Sequence, residues 1–96
     1  MVSYHAALIY CMMLVSAADR EMTDAELRTM GEIVSYLPIF ADYDPQLLPN
    51  TAAACAEMID NEGGLDETMA LIKASLPLRL RETAYMLACE IVAVDG

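Results

Sequence analysis

Residues 3–18 carry no Asp, Glu, Lys or Arg and are apolar on every face of a helix. Tyr4, Ala7, Leu8, Cys11, Met12 and Val15 share one side at helical spacing. Ile9, Met13, Leu14 and Ala17 make the other side nearly as apolar. A helix that is hydrophobic all round belongs in the middle of a bundle. The run is shorter than the ~20 apolar residues a membrane-spanning helix needs. Val15-Ser16-Ala17 looks like a signal cleavage site, but only His5 stands where a cationic leader would be, so the run reads as a core helix. It stops at Ala17-Ala18-Asp19. A second apolar run, Ala84 to Val94, carries only Glu90 as a charge and stops at Ala93-Val94-Asp95-Gly96. Two apolar rods that each close on Ala-x-Asp suggest an internally repeated acidic corner.

The intervening segments read as amphipathic helices. Thr23-Asp24-Ala25-Glu26 is a capping box, which predicts a helix over 24–37 ending before Pro38. Its expected buried stripe is Leu27, Met30, Val34 and Leu37, with Glu26, Arg28, Thr29 and Glu32 facing water. Residues 38–50 hold three prolines and read as irregular, with Asp44-Pro45 starting a short turn over 45–48. Asn50 is expected to cap a helix over 51–61, packed through Ala52, Cys55 and Ile59 and stopped by Gly63-Gly64. A helix over 66–75 would bury Met69, Ile72 and Leu76. Pro77 opens the last helix, 77–94, the second central rod. No segment alternates like a strand. The expected fold is all-α: one compact helical bundle, two apolar central helices surrounded by amphipathic ones.

The 96 residues make one domain, and a 57% hydrophobic fraction is ample for its core. Five Lys and Arg against fifteen Asp and Glu give a formal charge of −10. Such a chain repels nucleic-acid phosphates and anionic lipid and favours cations or basic partners. Cys11, Cys55 and Cys89 are odd in number, form no C-x-x-C pair and sit in apolar segments. They read as free core thiols in a reducing cytoplasm. His5 has no nucleophile pattern around it and reads as a partly exposed structural residue. Most of the eight methionines fall at helical core spacing, and Gly63-Gly64 is a helix stop rather than a phosphate loop. Glu90, alone in an apolar helix, is expected to pair with an Arg or a backbone donor.

Ala17-Ala18-Asp19-Arg20-Glu21-Met22-Thr23-Asp24-Ala25-Glu26 resembles the first acidic corner of the TerB-like (tellurite resistance protein B) domain family. Ile91-Val92-Ala93-Val94-Asp95-Gly96 resembles that family's second corner, and Pro77-Leu78-Arg79-Leu80-Arg81 resembles its approach to the final helix. The resemblance implies an all-α bundle with an internal pseudo-two-fold. It also implies a bacterial cytoplasmic module, acting through partners up to the inner membrane face, in resistance to tellurite and other stress. Its acidic corners imply a divalent metal such as Ca²⁺ or Mg²⁺. Two departures stand out. Arg20 occupies the usual glycine position and sets a cation beside Asp19, and the helix expected after Asp95-Gly96 is absent.

That helix would bury about four side chains, roughly 6–12 kcal/mol, against a whole-domain stability of ~5–15 kcal/mol. A longer natural protein or a homodimer is therefore expected. Asp19, Glu21 and Thr23 resemble the start of an EF-hand loop, but Asp24 stands at the turn glycine and Met30 at the bidentate glutamate. The remaining metal expectation is a site shared by Asp19, Glu21 and Asp95. The plain alternative is that Asp24 and Glu26 start a helix while Asp19 closes a turn. The functional expectation is a non-catalytic interaction or sensing module. A metal-dependent hydrolase using the same carboxylates and a structural dimerisation domain are the alternatives. Against the hydrolase stands the lack of a general base or nucleophile at recognisable spacing.

Overall fold

The computed structural model describes the backbone of residues 2–19 and 23–94, and their side chains except those of residues 17–19, 92 and 94. Five α-helices follow in order: α1 (Tyr4–Asp19), α2 (Asp24–Tyr36), α3 (Leu48–Asp60), α4 (Gly64–Ser75) and α5 (Arg81–Val94). Short 3₁₀ turns at Pro38–Phe40, Pro45–Leu47 and Leu78–Leu80 join them, and no strand occurs among the described residues. The fold is an all-α bundle. No helix among the described residues is long and apolar enough to cross a membrane.

The uniformly apolar α1 is the hub. It touches α2, α3, α4 and α5, and Ala7, Leu8, Ile9, Tyr10, Met12 and Met13 are all buried. Only a helix surrounded on every side can bury consecutive residues, as a helical turn spreads them round the full circle. The Cα radius of gyration is 12.2 Å, close to the ~12.5 Å of a folded chain of this length.

At the second rod the expectation is half met. Leu80, Ala84, Leu87, Ala88 and Ile91 of the final segment are buried against α1 and α2. Tyr85, Met86, Cys89 and Glu90 on the other side are exposed. The final helix also begins later than expected. Pro77 is extended, with ψ 148°, and a 3₁₀ turn precedes Arg81.

Helix phase differs from the expected stripes in two places. In α2 the buried residues are Glu26, Met30, Ile33 and Val34, while Leu27 is 44% exposed and Leu37 lies at the surface. In α4 the inward line is Gly64, Thr68 and Ile72, continued by Leu76, with Met69 outside. In α4 the reason is close approach to α3. A Cβ on Gly64 would run into the Met58 and Ile59 carbonyls of α3. Thr68, one turn on, is fully buried and donates its hydroxyl to the Gly64 carbonyl at 2.7 Å. Small residues let the α3–α4 backbones meet, so the larger Met69 is turned outward.

The α3 start also differs from expectation. Asp44, not Asn50, caps the segment: its carboxylate accepts from the Gln46 amide at 2.9 Å. The 3₁₀ turn it starts runs directly into α3 at Leu48. Pro49 sits in the first turn of α3, where a missing N–H costs nothing. Helix α2 ends as expected, since Leu37 before Pro38 is held extended at ψ 136°. The turn into α4 places Gly63 at φ 71°, a conformation glycine takes without steric cost.

Candidate functional site

The α1–α2 corner is built around a buried carboxylate. Thr23 caps α2 by accepting from the Glu26 amide at 3.1 Å. The Glu26 side chain returns to accept from the Thr23 amide at 2.8 Å through Oε1. Its Oε2 accepts from the Ser16 hydroxyl of α1 at 3.1 Å. Glu26 is only 3% exposed, so the expectation that it faces water is wrong. The capping box folds the side chain back over the helix start, and the end of α1 then covers it. Glu26 is therefore a knot between two helices as well as a cap.

The metal expectation falls largely outside the described residues. Glu21 and Asp95 are not among them, and the Asp19 side chain is not described although its backbone closes α1. Among the described residues no group of three or more His, Cys, Asp and Glu gathers as a metal site. The described carboxylates of the corner, Asp24 and Glu26, both lie in the first turn of α2, where they suit the positive end of the helix dipole.

The thiols separate by depth. Cys55 is fully buried in the core, and burial pushes its pKa up to about 11. Cys11 is half-buried, and burial raises its pKa too. Raised thiols are poor nucleophiles at neutral pH. Cys89, expected in the core, is exposed on the outer face of α5. His5, expected partly exposed, is buried. Its Nε2 donates to the Ile39 carbonyl at 2.8 Å, and its ring stacks on Phe40 with centroids 5.4 Å apart. It clamps the segment after α2 to the start of α1. Among the described residues no buried side-chain polar atom lacks a partner.

The surface feature that sequence reasoning missed lies between α2 and α5. A hollow of about 250 Å³ is lined by Ile33, Tyr36, Leu37, Met86 and Leu87, with Glu32 and Glu90 at its sides. Tyr36 is 81% exposed and Met86 64% exposed. Glu90 is on the surface here, so the expected need for a buried partner does not arise. The signal available in the sequence was the spacing of Glu32 and Tyr36, one turn apart on α2, and of Met86 and Glu90, one turn apart on α5.

Comparison with protein-family models, with curated proteins and with solved structures finds no match to this chain.

Proposed function

We propose that this chain is a non-catalytic interaction module of the TerB-like kind, acting in the bacterial cytoplasm on a basic protein partner. The observation that carries the reading is the α2–α5 hollow, where the exposed apolar groups of Tyr36, Leu37 and Met86 share the lining with Glu32 and Glu90. Exposed apolar surface with a polar rim is the usual mark of a protein contact site. Acidic flanks on a chain of net charge −10 select a partner helix with a basic border and an apolar stripe. Asp19, Glu21 and Asp95 complete the reading as a second acidic point, able to take Ca²⁺ or Mg²⁺ through oxygen ligands.

The test is binding of a synthetic amphipathic helix of Leu and Lys, followed by fluorescence anisotropy. Tyr36→Ser with Met86→Ser should weaken binding about tenfold or more, equivalent to ~1.4 kcal/mol. Raising salt should weaken it further. Equal affinity of the double variant and the parent protein would remove this site from consideration.

A further inference from the structure

A second apolar feature lies on the opposite flank of α5 and has a different electrostatic character. Two adjoining hollows, about 320 and 340 Å³, share Val15, Tyr85 and Ala88 and so form one trough. Ala84 and Ala88 lower one side of it, Cys11 and Val15 of α1 the other, and Ile72 and Leu76 of α4 close the inner end. The far end runs past Cys89 to Ala93. From Arg81 to Ala93 the α5 axis rises ~18 Å, at 1.5 Å per residue. Among the described residues the polar side chains reaching the trough are Lys73, Arg81 and the Tyr85 phenol, and both cations lie at the α4 end.

Those two cations are conspicuous in a chain with only five Lys and Arg. Neither forms an ion pair with a described carboxylate. The nearest acid in sequence, Glu82, lines a neighbouring hollow with Arg81, Tyr85 and Met86 and is not among the residues that line the trough. Net repulsion by the other carboxylates is screened beyond ~8 Å at physiological salt, so the local pair of cations sets the sign at this mouth.

We propose that this trough binds a single-chain aliphatic carboxylate, its tail laid along Ala84, Ala88 and Cys89 and its head between Lys73 and Arg81. An apolar channel whose described cations gather at one end matches a ligand with an anionic head and an apolar tail, and the trough is long enough for an extended long-chain tail. A cationic helix of the sort that suits the α2–α5 hollow would meet like charge here. The inference does not rest on the function proposed above, since the two sites use opposite sides of α5 and ligands of opposite charge.

The experiment is calorimetric titration of the whole chain with octanoate, dodecanoate and hexadecanoate below their micelle concentrations. Dodecyltrimethylammonium is the control of opposite charge. Affinity should rise with tail length, by about two- to fourfold per methylene while the trough still covers the added group. Dodecanoate should bind about tenfold or more tightly than the ammonium analogue, and Lys73→Ala with Arg81→Ala should erase that preference. Cys89→Trp, on an exposed position, should leave folding by circular dichroism intact while removing the gain from dodecanoate to hexadecanoate. Equal binding of the two head charges would reduce the effect to adsorption on an apolar face and overturn the proposal. So would light scattering that shows a dimer shielding Cys89 from thiol reagents, because a second copy would then be the occupant.

Discussion

Glu26 shows how much one side chain decides at the level of single residues. Its carboxylate closes the capping box with Thr23 and holds Ser16 of the preceding helix. Glu26→Ala removes both contacts and leaves the buried Ser16 hydroxyl without this acceptor, so it should lower stability by about 2–3 kcal/mol. Glu26→Gln keeps one acceptor oxygen for the Thr23 amide and offers an NH2 that can donate to the Ser16 hydroxyl, so it should lose less than half of that. Urea denaturation of the two variants makes the comparison. Cys55 supplies a pH dependence at the same scale. Burial pushes the pKa of its thiol up to about 11 in the folded chain, from the ordinary 9.0 of an exposed thiol. Between those values the unfolded chain has lost the proton and the folded chain has not, so unfolding is favoured as pH rises. Stability present below pH 9 should fall by up to about 2–3 kcal/mol through pH 11. Tyr10, raised first by burial and then by Cys55 and Tyr43, acts in the same direction. In Cys55→Ala the melting temperature should decline less steeply over that range, and an unchanged slope would mean the thiol is not the source.

Among the elements, the α3–α4 contact depends on an absent side chain. Gly64 faces the Met58 and Ile59 carbonyls, which are backbone and cannot swing aside. Gly64→Ala should therefore destabilise by about 1–3 kcal/mol, despite the better helix propensity of alanine. Thermal unfolding of that variant beside Gly31→Ala, which has open space around it, separates the two effects. Gly31→Ala should be neutral or stabilising. This contact also explains where sequence reasoning about elements stopped. The capping box, the Pro38 stop and the Asp44-Pro45 turn were legible because each depends on residues within one turn of one another. The phases of α2 and α4 were not. Hydrophobicity favoured Leu27 and Met69, while packing buried Ile33 and Thr68; in α4 the cause is a close backbone approach at Gly64, which rewards small residues that hydropathy does not single out.

For the whole molecule, α1 is packed by four helices and opens to the surface where Cys11 and Val15 line the trough, while α5 is buried along one side. The acidic corner is the feature whose consequence is global. Asp19 ends α1, and Asp95 follows directly on α5. If those two carboxylates and Glu21 share an ion, binding to the folded chain alone adds RT ln(1 + [L]/Kd) to stability. Ca²⁺ or Mg²⁺ at a hundred times Kd should then raise stability by about 2.7 kcal/mol. The rise should vanish in Asp19→Asn with Asp95→Asn. A melting temperature indifferent to Ca²⁺, Mg²⁺, Mn²⁺ and Zn²⁺ would leave the corner with its capping role only.

Sequence alone determined the class of this protein. A charge-free run apolar on every face has no stable place except inside other helices, and local caps and prolines punctuate the chain without reference to anything distant. Tertiary structure decided which face of each remaining helix turned inward. That choice sank a glutamate, lifted Cys89 to the surface and opened two apolar hollows on either side of α5. The cause is steric: backbone approach and side-chain volume are settled between helices far apart in the chain, and no single segment carries that information.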